Sequence, residues 1–124
     1  LDKSQYFYRT VVITRKNNQV ALANIDNPQE TTALDDWLGV VISLADGAHN
    51  IEELIGYLRG HYPNSPPQDL EKTIESVIDR LSDGKLIKFS EEPVSLPYYL
   101  SFPVEELDID KAKKLMQEDG YTQH

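Results

Sequence analysis

The chain has 124 residues, no cysteine and a formal net charge of −9. The absence of cysteine excludes disulfides, thiolate metal sites and a cysteine nucleophile. The acidic balance disfavours nucleic acid, whose affinity rests on neutralised phosphates. No apolar run approaches the ~18 residues that span a bilayer, and no signal-peptide pattern opens the chain. A cytoplasmic protein off the membrane is therefore expected. The charge is uneven. Residues 1–30 hold four basic and three acidic side chains, residues 31–100 five and twelve, and residues 101–124 three and six. Such a field would steer towards a basic partner.

Residues 6–16, "YFYRTVVITRK", are rich in β-branched and aromatic types. Period-two alternation places Phe7, Val11 and Ile13 on one face and Tyr6, Tyr8 and Val12 on the other. Asn17-Asn18 suits a hairpin turn with φ > 0, and residues 19–25 would return as the second strand. "DNPQE", residues 26–30, reads as a turn. "TTAL", residues 31–34, reads as a short third strand.

The first helix is expected over residues 35–45, with a cap from the Thr32/Asp35 spacing and Gly47 ending it as a left-handed residue. It is apolar nearly all round, which implies burial on more than one side. A tight turn would lead to a second helix opened by an Asn50–Glu53 capping box. That helix carries the stripe Ile51, Leu54, Ile55 and Leu58, with Tyr62 just beyond. Gly56 and Gly60 within it serve either close packing or nothing in particular. Ser65 and Pro66 suit the start of a third helix over residues 67–82. Its inward stripe is Leu70, Ile74, Val77 and Leu81, with Ile78 on a flank, and Gly84 closes it. Residues 85–89, "KLIKF", read as a final strand or wing.

From Glu91 onward prolines and aromatics replace any sustained period, as in an extended connector. Asp108 would cap a short helix with Ile109, Ala112, Leu115 and Met116 on one face, ended by Gly120. A helix that short needs a surface to lie on. Leu96, Tyr98, Tyr99, Leu100 and Phe102 left in water would be an aggregation liability. The tail is therefore expected to dock: on its own sheet at Tyr6, Tyr8 and Val12, in the groove of a partner chain as a homo-oligomer, or on another protein.

Catalytic patterns are lacking. His49 and His61 read as surface or cap residues. Adjacent acids such as Glu52-Glu53 and Glu91-Glu92 point different ways and form no dyad. No metal or other cofactor is expected. The third helix exposes Asp69, Glu71, Glu75 and Asp79, which would repel a DNA groove. Lys72 beside Glu71 and Glu75 reads as a local ion pair.

The order of elements, with "LADG" before a capped "IEEL", resembles the PqqD-like family, the recognition elements of ribosomal peptide maturation. The residues that carry the resemblance are Ile42, Leu44, Asp46 and Gly47, then Ile51, Glu52, Glu53, Leu54, Leu58 and Tyr62. Val77, Leu81, Gly84, Leu86 and Ile87 come next, resembling the family's closing "LxxxGLL". The likeness spans residues 6–90. It implies an α+β, winged helix-turn-helix-like domain over residues 1–92, with a three-stranded antiparallel sheet followed by three helices. Residues 93–124 form a C-terminal extension outside it.

The resemblance also implies a binding protein, not an enzyme. A precursor's leader peptide would add as a strand beside the third strand, in a cleft lined by the third helix, for presentation to a radical SAM or similar modifying enzyme. Backbone bonds would come from Thr31, Thr32, Ala33 and Leu34, and side-chain contacts from Thr73, Val77, Ile78 and Arg80. Thr73 and Arg80 share one flank of the helix and Ile78 lies on the other, so either could face the groove; Val77 could be core. Two alternatives stand beside this reading: an acidic winged-helix adaptor between proteins, and a DNA-binding regulator. A leader-peptide gene and a modifying-enzyme gene beside this one would separate them.

Overall fold

The computed structural model describes residues 2–17, 19–61 and 67–121. The readings placed on Asn18, Tyr62, Ser65 and Pro66 lie outside them. Among the described residues the fold is mixed α+β, with two small antiparallel sheets of three strands and five helices. In chain order the elements are β1 (Tyr6–Arg9), β2 (Ile13–Lys16), β3 (Gln19–Asn24), β4 (Asn27–Ala33), α1 (Asp36–Ser43), β5 (Asp46–Asn50), α2 (Ile51–His61), α3 (Pro67–Asp83), β6 (Ile87–Ser90), α4 (Tyr98–Ser101), a 3-10 turn (Val104–Glu106) and α5 (Ile109–Asp119).

The expected single sheet is two. The first strand breaks at Thr10, whose amide donates to Leu86 O at 3.0 Å and whose hydroxyl donates to Lys85 O at 2.8 Å. Before the break, β1 sits between β5 and β6; after it, β2 joins the meander β2-β3-β4. The chain can change sheets there because Thr10 satisfies its amide on Leu86, in the turn between α3 and β6 and one step beyond the Arg9↔Ile87 pair, and leaves the β2-β3-β4 sheet to start after it. The β2–β3 hairpin closes with Asn17 at φ +53, as its sequence suggests. Residues 27–30, expected as turn, are strand: β4 starts at Asn27 and pairs as far as Ala33↔Ala21. Pro28 is compatible with this because β4 is an edge strand.

The helices obey their patterns with local corrections. Asp35, not Thr32, caps α1, its Oδ1 accepting from Leu38 N at 2.9 Å. Helix α1 stops at a Leu44 cap. The strand β5 then takes the place of the expected tight turn, and Gly47 lies inside it at φ +78. A Cβ there would stand 2.2 Å from Val94 O, so glycine is needed for the close approach of the connector. The Asn50–Glu53 box is formed in both directions, at 3.1 and 2.8 Å. Among the described residues a Cβ on Gly56 or Gly60 would meet nothing within 4 Å, so neither serves close packing there. At the end of α3 the left-handed residue is Lys85, φ 60, not Gly84. Leu86 N donates to Leu81 O and Lys85 N to Ser82 O, a Schellman closure.

Two hydrophobic clusters flank the β2-β3-β4 sheet. The first joins Phe7, Ile13, Val41, Ile42 and the stripes of α2 and α3, with Val20 and Leu22 packed against it. Helix α1 reaches β3 closely through Gly39, whose Cβ position is 3.3 Å from Val20 Cβ. The second joins Val12 and Ile25 to Tyr99, Leu100, Val104, Leu107, Ala112 and Met116. Alternation along β3 divides the faces, Val20 and Leu22 to one cluster and Ala23 to the other. The tail thus lies on the sheet face away from the helices. Val12 provides for it as expected; Tyr6 and Tyr8, on the other sheet, do not. Phe102 stays 45% exposed. Asp108 and Gly120 bound α5 as their types suggest.

Candidate functional site

The strand edges are treated unequally. The outer edge of β2 is covered by the 3-10 turn: Glu105 accepts from Arg15 N at 2.8 Å and from the Thr14 hydroxyl. Burial pushes the Glu105 carboxyl up, but the bonds from Thr14 and Arg15, with the charge of Lys16, outweigh it and hold the group below its ordinary value. Beside β5, Val94 N donates to Gly47 O at 2.8 Å. Strand β6 is an edge of only four residues and carries Lys88, a common protection. Strand β4 is an edge of seven residues, paired on one side to β3 at Asn27 and at residues 31–33 with a register irregularity between. Gln29, Glu30, Thr31, Thr32 and Ala33 are all exposed on it. Alternate residues of such an edge turn N–H and C=O outward, where they can bond an added strand.

Past Ala33 the chain enters an open groove of about 570 Å³ between the start of α1 and one flank of α3. Asp35, Asp36 and Trp37 form one wall, and Lys72, Thr73, Ser76, Val77 and Arg80 the other. Arg80 Nη1 spans it to Asp35 Oδ2 at 3.5 Å, between two largely exposed side chains; solvent screens such a pair to ~0–1 kcal/mol. It joins the walls weakly enough to open for a ligand. A second cleft of about 520 Å³, lined by Leu34, Val20, Gly39 and Arg15, shares Asp35 and Asp36 with the first. The two meet over the N-terminus of α1.

The residues named from sequence separate here. Thr31, Thr32 and Ala33 lie on the open edge, and Leu34 is half-buried, packed on the first cluster. Thr73, Val77 and Arg80 line the groove together. Val77 is also core at 4% exposed, and the Thr73 hydroxyl bonds Asp69 O within its own helix at 2.8 Å. Ile78 is fully buried and lies in the core, not the groove. Lys72 has no ion pair among the described residues, against expectation; Glu71 pairs instead with Lys3 and Arg59 at 3.4 and 3.3 Å. Sequence reasoning missed Asp35, Asp36, Trp37, Lys72 and Ser76 as lining. The helical spacing of Lys72, Ser76 and Arg80 beside Thr73 and Val77 was the available signal for two of them.

Among the described residues no cluster of three or more His, Asp or Glu could hold a metal ion. His49 faces both carboxylate oxygens of Asp46 at 3.1 Å, and His61 bonds Tyr57 O at 3.2 Å. Among the same residues, no helix is long and apolar enough to cross a membrane. No family model, curated protein or solved structure matches the chain.

Proposed function

We propose that the chain is a peptide-binding module that takes an extended segment as an added strand on β4, with side chains of that segment entering the groove between α1 and α3. The resemblance of residues 6–90 to PqqD-like proteins makes that segment the leader of a ribosomally made precursor, presented to a radical SAM or similar modifying enzyme. In the same reading α1, β5, α2, α3 and β6 form a winged helix-turn-helix, with β1 filling the position between the two wing strands. The observation that carries the proposal is the unequal treatment of the edges. The protein covers β2 with Glu105 and runs Val94 beside β5, yet among the described residues leaves the longest edge, β4, open just before the chain enters a groove at Asp35. Backbone bonding along β4 would supply affinity, and the mixed charges of Asp35, Asp36, Lys72 and Arg80 would supply choice. Asp69, Glu75 and Asp79 along α3 work against the DNA-reading alternative.

The test is an NMR titration of the isotope-labelled chain with the synthetic leader of the precursor encoded beside its gene. Amide shifts at residues 29–34, with shifts at Thr73, Ser76 and Arg80, are expected. Saturable shifts confined to other faces would refute the assignment.

A further inference from the structure

A second surface shares no residue with the groove. Between β5 and α2 lies a cleft of about 160 Å³. Its floor is core: Phe7 is fully buried and Leu54 is 3% exposed. Leu44 forms a wall, and His49, Glu53 and Tyr57 form the rim. Tyr57 is 50% exposed, which among the described large apolar side chains is matched only by Phe102. It is held in place by its ring contact with His61, centroids 4.3 Å apart. The rim is ordered as well, since Glu53 is fixed by the capping box and His49 by Asp46.

Size and charge choose the occupant. Small-molecule sites run to ~300–1,000 Å³; this cleft holds about one side chain. The carboxylates of Glu53, on the rim, and of Asp46, which holds the rim's His49, have no Lys or Arg ion pair among the described residues. The nearby cations Lys3 and Arg59 are both drawn to Glu71. We propose that the cleft is a docking surface for a partner protein, which inserts one apolar side chain beside Tyr57 and flanks it with Lys or Arg against the carboxylate rim. This surface would serve whether or not β4 takes a peptide. An aromatic beside a water-excluding pocket is the usual anchor of an interface, and complementary rim charge adds specificity and speed of encounter.

The probe is a short synthetic peptide with one leucine between lysines, titrated into the full labelled chain. Saturable shifts at Leu44, His49, Glu53 and Tyr57 are expected. Replacing the leucine by alanine, or Tyr57→Ala in the protein, should weaken binding about tenfold. Tyr57 is half in solvent, so that variant should fold. Glu53→Gln should weaken binding at low salt and flatten its salt dependence, while a glutamine at position 53 keeps the helix cap. Shifts that ignore the anchor, or that fall only at residues 29–34, would overturn the proposal. Shifts at Tyr57 that grow with protein concentration in the absence of peptide would also overturn it, by making a second copy of the chain the occupant.

Discussion

Arg9 is 4% exposed and no carboxylate pairs with it among the described residues. Its guanidinium instead bonds three backbone carbonyls: Nε to Leu100 O at 2.8 Å, and Nη1 to Ser43 O at 3.2 Å and Ile42 O at 3.4 Å. Burial pushes its pKa down and the charge of Asp46 partly restores it. Helix α1 has no basic residue in its last turn, so Arg9 supplies the cation that a helix C-terminus favours. It also ties β1 and α1 to α4 in the tail. Arg9→Met keeps most of the length and removes every donor. An unmatched buried carbonyl costs ~1–3 kcal/mol. Ile42 O keeps the amide of Ala45 at 3.2 Å, so the loss falls on the carbonyls of Leu100 and Ser43, and relief of the guanidinium's desolvation offsets part of it. The expected net loss is ~2–4 kcal/mol, a large share of the ~5–15 kcal/mol typical of a domain. Arg9→Lys should recover little, since one ammonium cannot reproduce the fork towards α1 and α4. Urea unfolding monitored by circular dichroism measures the loss, and amide exchange locates it. Helices α4 and α5 should exchange faster in Arg9→Met while α2 keeps its protection relative to global unfolding. If Arg9→Met is as stable as the parent, or α5 keeps its protection, Arg9 is not the tie between tail and domain.

Three further outcomes are expected. Gly47→Ala, forced into φ > 0 at ~1–2 kcal/mol and against Val94 O, should lower stability by at least that amount in urea and release the connector, seen as faster exchange at Val94. The folded-state pKa of Glu105 lies below its ordinary 4.5, so its contribution is present above that value and lost as pH falls through the folded pKa. The stability gap between the parent and Glu105→Gln should therefore be widest above about pH 5 and close on acidification below 4.5; a gap independent of pH would refute the assignment. Trp37, the chain's single tryptophan, lines the groove, so leader binding should change its emission, and a binding isotherm with unchanged emission would place the ligand elsewhere.

The candidate site was legible in part. The family resemblance implies Thr31 to Ala33 and the pair Thr73 and Arg80; the structure puts the first on an exposed edge and the second on one groove wall, in keeping with the local rules of edge chemistry and helical spacing. Ile78 was misplaced because a helix pattern shows which residues share a face but not which neighbour covers that face. Asp35, Asp36 and Trp37 were missed because they join α3 only through the turn of the chain at the start of α1.

What the sequence by itself determined was the local register: the Asn17 turn, the Asn50–Glu53 box, the stripes of α2 and α3, the Asp108 cap and the Gly120 end. Each depends on side chains within a few residues of one another, so each is written in adjacent positions. Tertiary structure decided the rest. Residues 6–16 read as one strand, yet Lys85 and Leu86 in the turn after α3 capture Thr10 and the segment is split between two sheets. Gly47 reads as a helix stop, yet it is kept small by Val94, far along the chain. Residues 27–30 read as a turn, yet they are strand because β3 pairs on either side of them, Asn24 with Asn27 and Ala23 with Thr31, across a register irregularity. In all three the deciding atom is a backbone amide or carbonyl outside the segment itself, and hydrogen-bonding demand of that kind leaves no trace in composition or periodicity.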